Sequence, residues 1–143
     1  MTTFSGHATI TVAGRSWEET RAAAADAVHA VARATFTTSY SGDLVGESTC
    51  CLLICYVDGD PDQPETLVGP YVGYEQVTGT LAGRTGSFVL AARGDHTDGV
   101  ARTDVTVVPG SGTGELAGLR GSGSYAATAM EYTLTLSYEL DAQ

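Results

Sequence analysis

The chain has 143 residues, 17 acidic against seven basic side chains and a formal net charge of −10, which fits a single domain over residues 1–143 with room for a sizeable core. All seven bases are arginines, and the acid excess excludes a binder of nucleic-acid backbone, which needs clustered cations. No apolar run approaches the ~20 residues of a membrane-spanning helix.

The opening residues, MTTFSGHAT, carry neither the basic nor the apolar segment of a secretory signal, so a cytoplasmic protein is expected. Residues 4–12 alternate: Phe4, Ala8, Ile10 and Val12 share one side and Ser5, His7, Thr9 and Thr11 the other. That is the pattern of a half-buried strand. Ser16 and Glu19 stand at capping-box spacing before an alanine-rich stretch, which predicts a short helix over roughly 17–28. Near Ala32 the pattern turns strand-like, with Phe36, Thr38 and Tyr40 on one face. Gly42 and Gly46 make a turn, and Glu47 to Val57 is nearly all apolar, which suits a strand buried on both faces. Asp58 to Gly69 reads as the long polar loop, rich in proline and acid.

Tyr71 to Leu81 is the next predicted strand, paired with Ser87 to Arg93 across a glycine turn. Asp95 to Gly99 is a turn and Val100 to Val108 a strand that stops at Pro109. Residues 132–140 alternate strictly. Tyr132, Leu134, Leu136, Tyr138 and Leu140 face inward, and Glu131, Thr133, Thr135, Ser137 and Glu139 outward. The stretch TGTLAGRTGS at 78–87 recurs as TGELAGLRGS at 113–122, with seven of ten positions identical. A repeat of this kind means one supersecondary unit used twice, and each copy reads as a β-hairpin. The expectation is an all-β chain: one antiparallel barrel of about eight strands with one short helix near the N-terminus.

The segments SYSGDLVGES (39–48), GYEQVTGTLAGRTGSFVL (73–90), VVPGSGTGELAGLRGSGSY (107–125) and YTLTLSYEL (132–140) together resemble the DUF3224 family of bacterial proteins, common in actinobacteria. A lysine-free, arginine-only chain rich in alanine, glycine and threonine fits the high G+C coding of such an organism. The resemblance implies a small antiparallel barrel similar in shape to allene oxide cyclase and dirigent proteins, and implies no activity. Family members have a polar, glycine-containing loop where this chain has TRAAAADAVHA, so helix and loop stand as competing expectations there. Relatives often have Gln-His after the Phe-Val-Leu stretch. Here Ala91 and Ala92 follow Leu90, which speaks against a shared histidine-dependent chemistry.

Glu75 is the candidate catalytic residue. It lies in a strand between apolar neighbours, shares a face with Tyr71, Gly73 and Val77, and resembles the glutamate usual in the family there. In an apolar lumen its carboxyl would titrate high and suit proton transfer. On the outer face, or paired with Arg84, Arg93 or Arg102, it would be structural. Six of the seven tyrosines, Tyr40, Tyr56, Tyr71, Tyr74, Tyr125 and Tyr132, are candidate ligand-binding residues, since buried phenols orient a polar group on an apolar molecule. Cys51 and Cys55 join them as small apolar side chains on one face of the strand. Cys51 and Cys55 lie about 13 Å apart along a strand, too far to bridge, and Cys50 points the other way.

His7, His29 and His96 show no metal-ligand spacing, and Asp58-Gly59-Asp60-Pro61-Asp62 lacks the later residues of a calcium loop. Gly110 to Gly114 lacks the Lys and Ser/Thr of a phosphate cradle. No metal or cofactor is therefore expected. Two functions remain open. One is a barrel that binds a small, largely apolar molecule. The other is a cofactor-independent cyclase or isomerase that holds such a molecule in one conformer, with Glu75 and tyrosines as its polar groups. Edge strands admit a homo-oligomer, and no nucleic-acid or membrane partner is expected.

Overall fold

The structure, a computed structural model, describes residues 3–22 and 28–141. These residues form strands β1 (Thr3–Ala22), β2 (Ala30–Gly42), β3 (Leu44–Tyr56), β4 (Asp58–Asp60), β5 (Gln63–Leu81), β6 (Arg84–Thr97), β7 (Val100–Val107), β8 (Thr113–Gly114), β9 (Arg120–Ala127) and β10 (Glu131–Asp141). Every pairing is antiparallel, in the order β4-β5-β3-β2-β1-β10-β9-β7-β6-β8, and β5 also pairs with β6. That last pairing closes eight of the strands into a ring, with β4 and β8 as short outer additions.

The ring's inner face follows from alternation. Even-numbered positions of β2, β3, β6 and β10 and odd-numbered positions of β5, β7 and β9 turn inward and are buried or half-buried over most of their length. The sorting predicted for 132–140 holds: Leu134, Leu136 and Leu140 are buried, Tyr132 and Tyr138 half-buried, and the five partners between them exposed. Phe36, Cys50, Glu75, Leu90 and Val107 form one continuous row of partners across β2, β3, β5, β6 and β7. One end of the interior is packed solid by Ile10, Leu44, Leu81, Phe88, Leu136 and Leu140, together with Leu116 and Leu119. The other end is open.

Four expectations are corrected. No helix occurs among the described residues. Residues 17–22 instead extend β1, with Trp17 opposite Phe36 and Ala22 opposite Val31, and residues 23–27 lie outside the described part. Ser16 bonds Thr37 at 2.7 Å instead of capping anything; the β-ladder overrides alanine's helix propensity. β3 is buried on one face only, for Val45, Cys51 and Leu53 are exposed between buried Leu44, Cys50 and Leu52. Residues 58–69 are not a loop but the arms of a hairpin, with Asp58 opposite Val68 and Asp60 opposite Gln63.

The second copy of the repeat is not a hairpin. Thr113 and Gly114 add to β6 opposite Ser87 and Gly86, and a turn then carries Leu116 and Leu119 into the closed end. What the two copies share is local. Leu81 and Leu116 are both fully buried, and Gly83 and Gly118 both have left-handed backbones, φ +75° and +84°.

Ala82 shares the β5–β6 turn with Gly83 at φ +51°. Two consecutive left-handed residues are the turn that matches strand twist, and alanine is a poor choice for the first. Ala82→Asn should stabilise the chain by about 0.5–1 kcal/mol. The check is a raised denaturant midpoint at unchanged m-value.

Candidate functional site

The open end of the ring holds a cavity of about 620 Å³. Its wall is mostly apolar and aromatic: Trp17, Phe36, Leu52, Ile54, Leu67, Tyr71, Tyr125, Met130 and Tyr132 among others. Trp17 and Phe36 stack at the rim, ring centroids 4.9 Å apart, and Tyr125 and Tyr132 stack at 4.4 Å. Gly94, opposite Tyr71 on β6, makes room for that phenol, because a Cβ there would lie 2.8 Å from its oxygen.

The rim carries the charged groups. Arg21 Nε donates to Glu19 Oε2 at 2.9 Å, the Tyr56 hydroxyl donates to Glu19 Oε1 at 2.7 Å, and the guanidinium lies 4.7 Å from the Tyr56 ring centroid. Burial, then the bond to Glu19, pushes the Tyr56 phenol up to about 12. His96 Nδ1 is 2.6 Å from the Leu67 carbonyl oxygen, which can only accept, so the proton sits on Nδ1.

Glu75 does not line this cavity. It lies in the packed layer beneath, 4 % exposed, between Cys50 on β3 and Leu90 on β6. The Tyr40 hydroxyl and Ser48 Oγ both donate to its Oε1, the latter at 2.9 Å. Burial raises its pKa; the two hydrogen bonds act in the opposite sense, and no cation contributes. Ser48 spends its one proton on Glu75, so Thr38, 2.6 Å away, must donate to Ser48. Thr38 itself lines the cavity. A row of hydroxyls thus runs from the cavity floor at Thr38 through Ser48 to the buried carboxyl.

The residues singled out in the sequence separate into three groups. Tyr71, Tyr125 and Tyr132 line the cavity floor and wall, and Tyr56 its rim. Tyr40 and Glu75 form the layer below, and Glu75 shares its inward face with Tyr71, Gly73 and Val77 as expected. Tyr74, Cys51 and Cys55 are brought to neither. Tyr74 is 61 % exposed on the outer face of β5, Cys51 is exposed opposite it on β3, and Cys55 shares that outer face. The inward cysteine is Cys50, whose thiol burial pushes up. Sequence reading missed Thr38, Ser48 and Thr103 as buried polar groups. The signal was present for Thr38, which alternates with Phe36 and Tyr40. Among the described residues no group of three or more His, Cys, Asp or Glu is placed to hold a metal ion.

A family model described as a protein of unknown function, DUF3224, matches residues 6–138. The chain belongs to the DUF3224 family. The solved structure of a DUF3224 protein of unknown function from Shewanella oneidensis MR-1 is similar to it at 28 % identity and TM-score 0.69, covering 99 % of this chain and 100 % of that one. A search among curated proteins finds no match. No helix of this DUF3224 chain is long and apolar enough to cross a membrane, among the described residues.

Proposed function

We propose that this chain binds one small, largely apolar molecule in the open end of its ring. The observation that carries this reading is the 620 Å³ cavity, which falls in the size range of small-molecule sites and is walled mainly by aromatic and aliphatic groups. A chain needing only a filled core would gain from closing that space, since packed interiors leave few voids larger than a water molecule. The closed ring of eight strands also supports reading the fold as a small barrel of the allene oxide cyclase-like shape.

A second reading is favoured by one observation, the Thr38–Ser48–Glu75 row. A cofactor-independent cyclase or isomerase would fold its substrate against the aromatic wall and exchange a proton at Thr38, with Glu75 acting through the hydroxyls. Glu75 would then be a positioning and proton-storing residue beneath the cavity.

The test is fluorescence titration with 1-aminoanthracene, a neutral apolar probe, alongside native mass spectrometry of the protein as purified. The parent should bind one equivalent. Ala127→Trp, which puts an indole where a methyl lines the cavity, should weaken binding by roughly tenfold or more, the loss expected when a ligand's apolar contacts are displaced. A parent that binds nothing, or a variant that binds as well, overturns the reading.

A further inference from the structure

The cavity floor contains more hydroxyl protons than the protein uses. Tyr71 OH and Thr103 Oγ1 hydrogen-bond each other, and the Arg102 carbonyl lies 3.4 Å from the same phenol. The Tyr125 hydroxyl faces Thr103 and the Tyr132 hydroxyl faces Tyr125. Neither closes a hydrogen bond to a described residue. Yet no fully buried side-chain oxygen among the described residues lacks a partner. These two hydroxyls are therefore open to space, and the space that both line is the cavity.

Counting protons gives the same result. Of the four hydroxyls Tyr71, Thr103, Tyr125 and Tyr132, only the first two close a hydrogen bond with each other, so the protons of Tyr125 and Tyr132 are both left unspent. At the Tyr71 end the sole further acceptor is the distant Arg102 carbonyl. At the other end there is the cavity. Burial raises the pKa of Tyr71, Tyr125 and Tyr132, so they stay protonated donors.

The charges restrict what such a donor can meet. The one arginine of the described lining, Arg21, stands at the rim and is already held by Glu19. No cation accompanies Glu75 below the floor. A carboxylate or phosphate pushed to the floor would lose its hydration without gaining a counter-charge. A neutral acceptor oxygen would lose far less and would gain the spare protons.

We propose that the cavity selects an apolar molecule bearing one neutral acceptor oxygen, of the ketone, quinone or lactone type, and receives that oxygen on the Tyr125 and Tyr132 hydroxyls. The inference rests on the binding reading above and adds the chemistry of the ligand's head. The apolar body lies toward Leu52, Ile54 and the Trp17–Phe36 stack.

Three naphthalenes of like size test it by calorimetric titration of the full chain: 2-acetylnaphthalene, 2-ethylnaphthalene and 2-naphthoate. The ketone should bind roughly three- to tenfold more tightly than the hydrocarbon, the range of one net hydrogen bond. The carboxylate should bind more weakly than both. In the double variant Tyr125→Phe/Tyr132→Phe the ketone's advantage should fall below twofold while the hydrocarbon's affinity holds, which also reports an intact cavity. Equal binding of ketone and hydrocarbon by the parent overturns the proposal and leaves the binding reading standing. So does an advantage that survives in the double variant, or naphthoate as the tightest ligand. Binding of none of the three overturns both.

Discussion

Phe88→Ala is expected to lower the unfolding free energy by about 3–5 kcal/mol, the usual cost of removing a buried aromatic side chain and leaving a void. Phe88 is 1 % exposed and sits opposite Val77, one alternation beyond the Glu75–Leu90 pair toward the closed end. The closed end is walled in by strands of the ring and by Leu116 and Leu119, so little can move in to fill the gap. Chemical denaturation should show the midpoint falling at an unchanged m-value. The loss should stop there. Phe88 does not line the cavity, so a variant still folded at low temperature should bind 1-aminoanthracene within about twofold of the parent, as independent sites do. A cost under 1 kcal/mol would mean that the closed end is not close-packed. A large loss of binding by folded protein would mean that the two ends of the interior are not separate.

That separation is what the sequence conveyed least well. Alternation is a strong signal, and it sorted residues 132–140 onto the correct faces because inside and outside differ in polarity at every second position; it grouped Glu75 with Tyr71, Gly73 and Val77 but left open which face of that strand turns inward. β3 misled because its outer face is apolar too: Val45, Cys51 and Leu53 are exposed there, so the run lacked the polar beats that mark a half-buried strand. Tyr74 was misassigned for a related reason. It neighbours Glu75, and the two could not both point inward. The helix expected over 17–28 failed in 17–22 because cross-strand pairing with β2 outweighed alanine's local preference. Depth within the ring was not legible at all. Tyr40 and Tyr132 alternate equally well, yet one bonds Glu75 beneath the floor and the other lines the cavity. That difference depends on register and strand tilt, which no single strand's sequence carries.

Glu75→Gln is expected to stabilise the chain increasingly as pH rises, and this is the second large effect. Folding raises the pKa of Glu75 from its ordinary 4.5, through burial first. In the pH interval between its unfolded and folded values the folded chain therefore holds a proton that the unfolded chain has released. Stability must fall with rising pH across that interval, by linkage. Below about pH 4, where both states are protonated, the group contributes no such slope. Above the folded value the whole penalty is present. Glutamine keeps the oxygen that Tyr40 and Ser48 bond at Oε1 and cannot ionise. The melting temperature of the variant minus that of the parent should thus be small at pH 4, grow as pH rises through that interval and level off above the folded value. The other carboxylates are common to both proteins and cancel in the difference. A gain of 1 kcal/mol corresponds to roughly 2–5 °C at this chain length, so a trend is readily measured. A flat difference would mean that Glu75 titrates alike in the folded and unfolded chains, and so is not held in the dry layer beneath the cavity. The proton-exchange reading would then fall with it, since the row in which Thr38 donates to Ser48 and Ser48 to Glu75 carries a proton toward the carboxylate, and a carboxylate of ordinary pKa is too weak a base to draw one from the cavity.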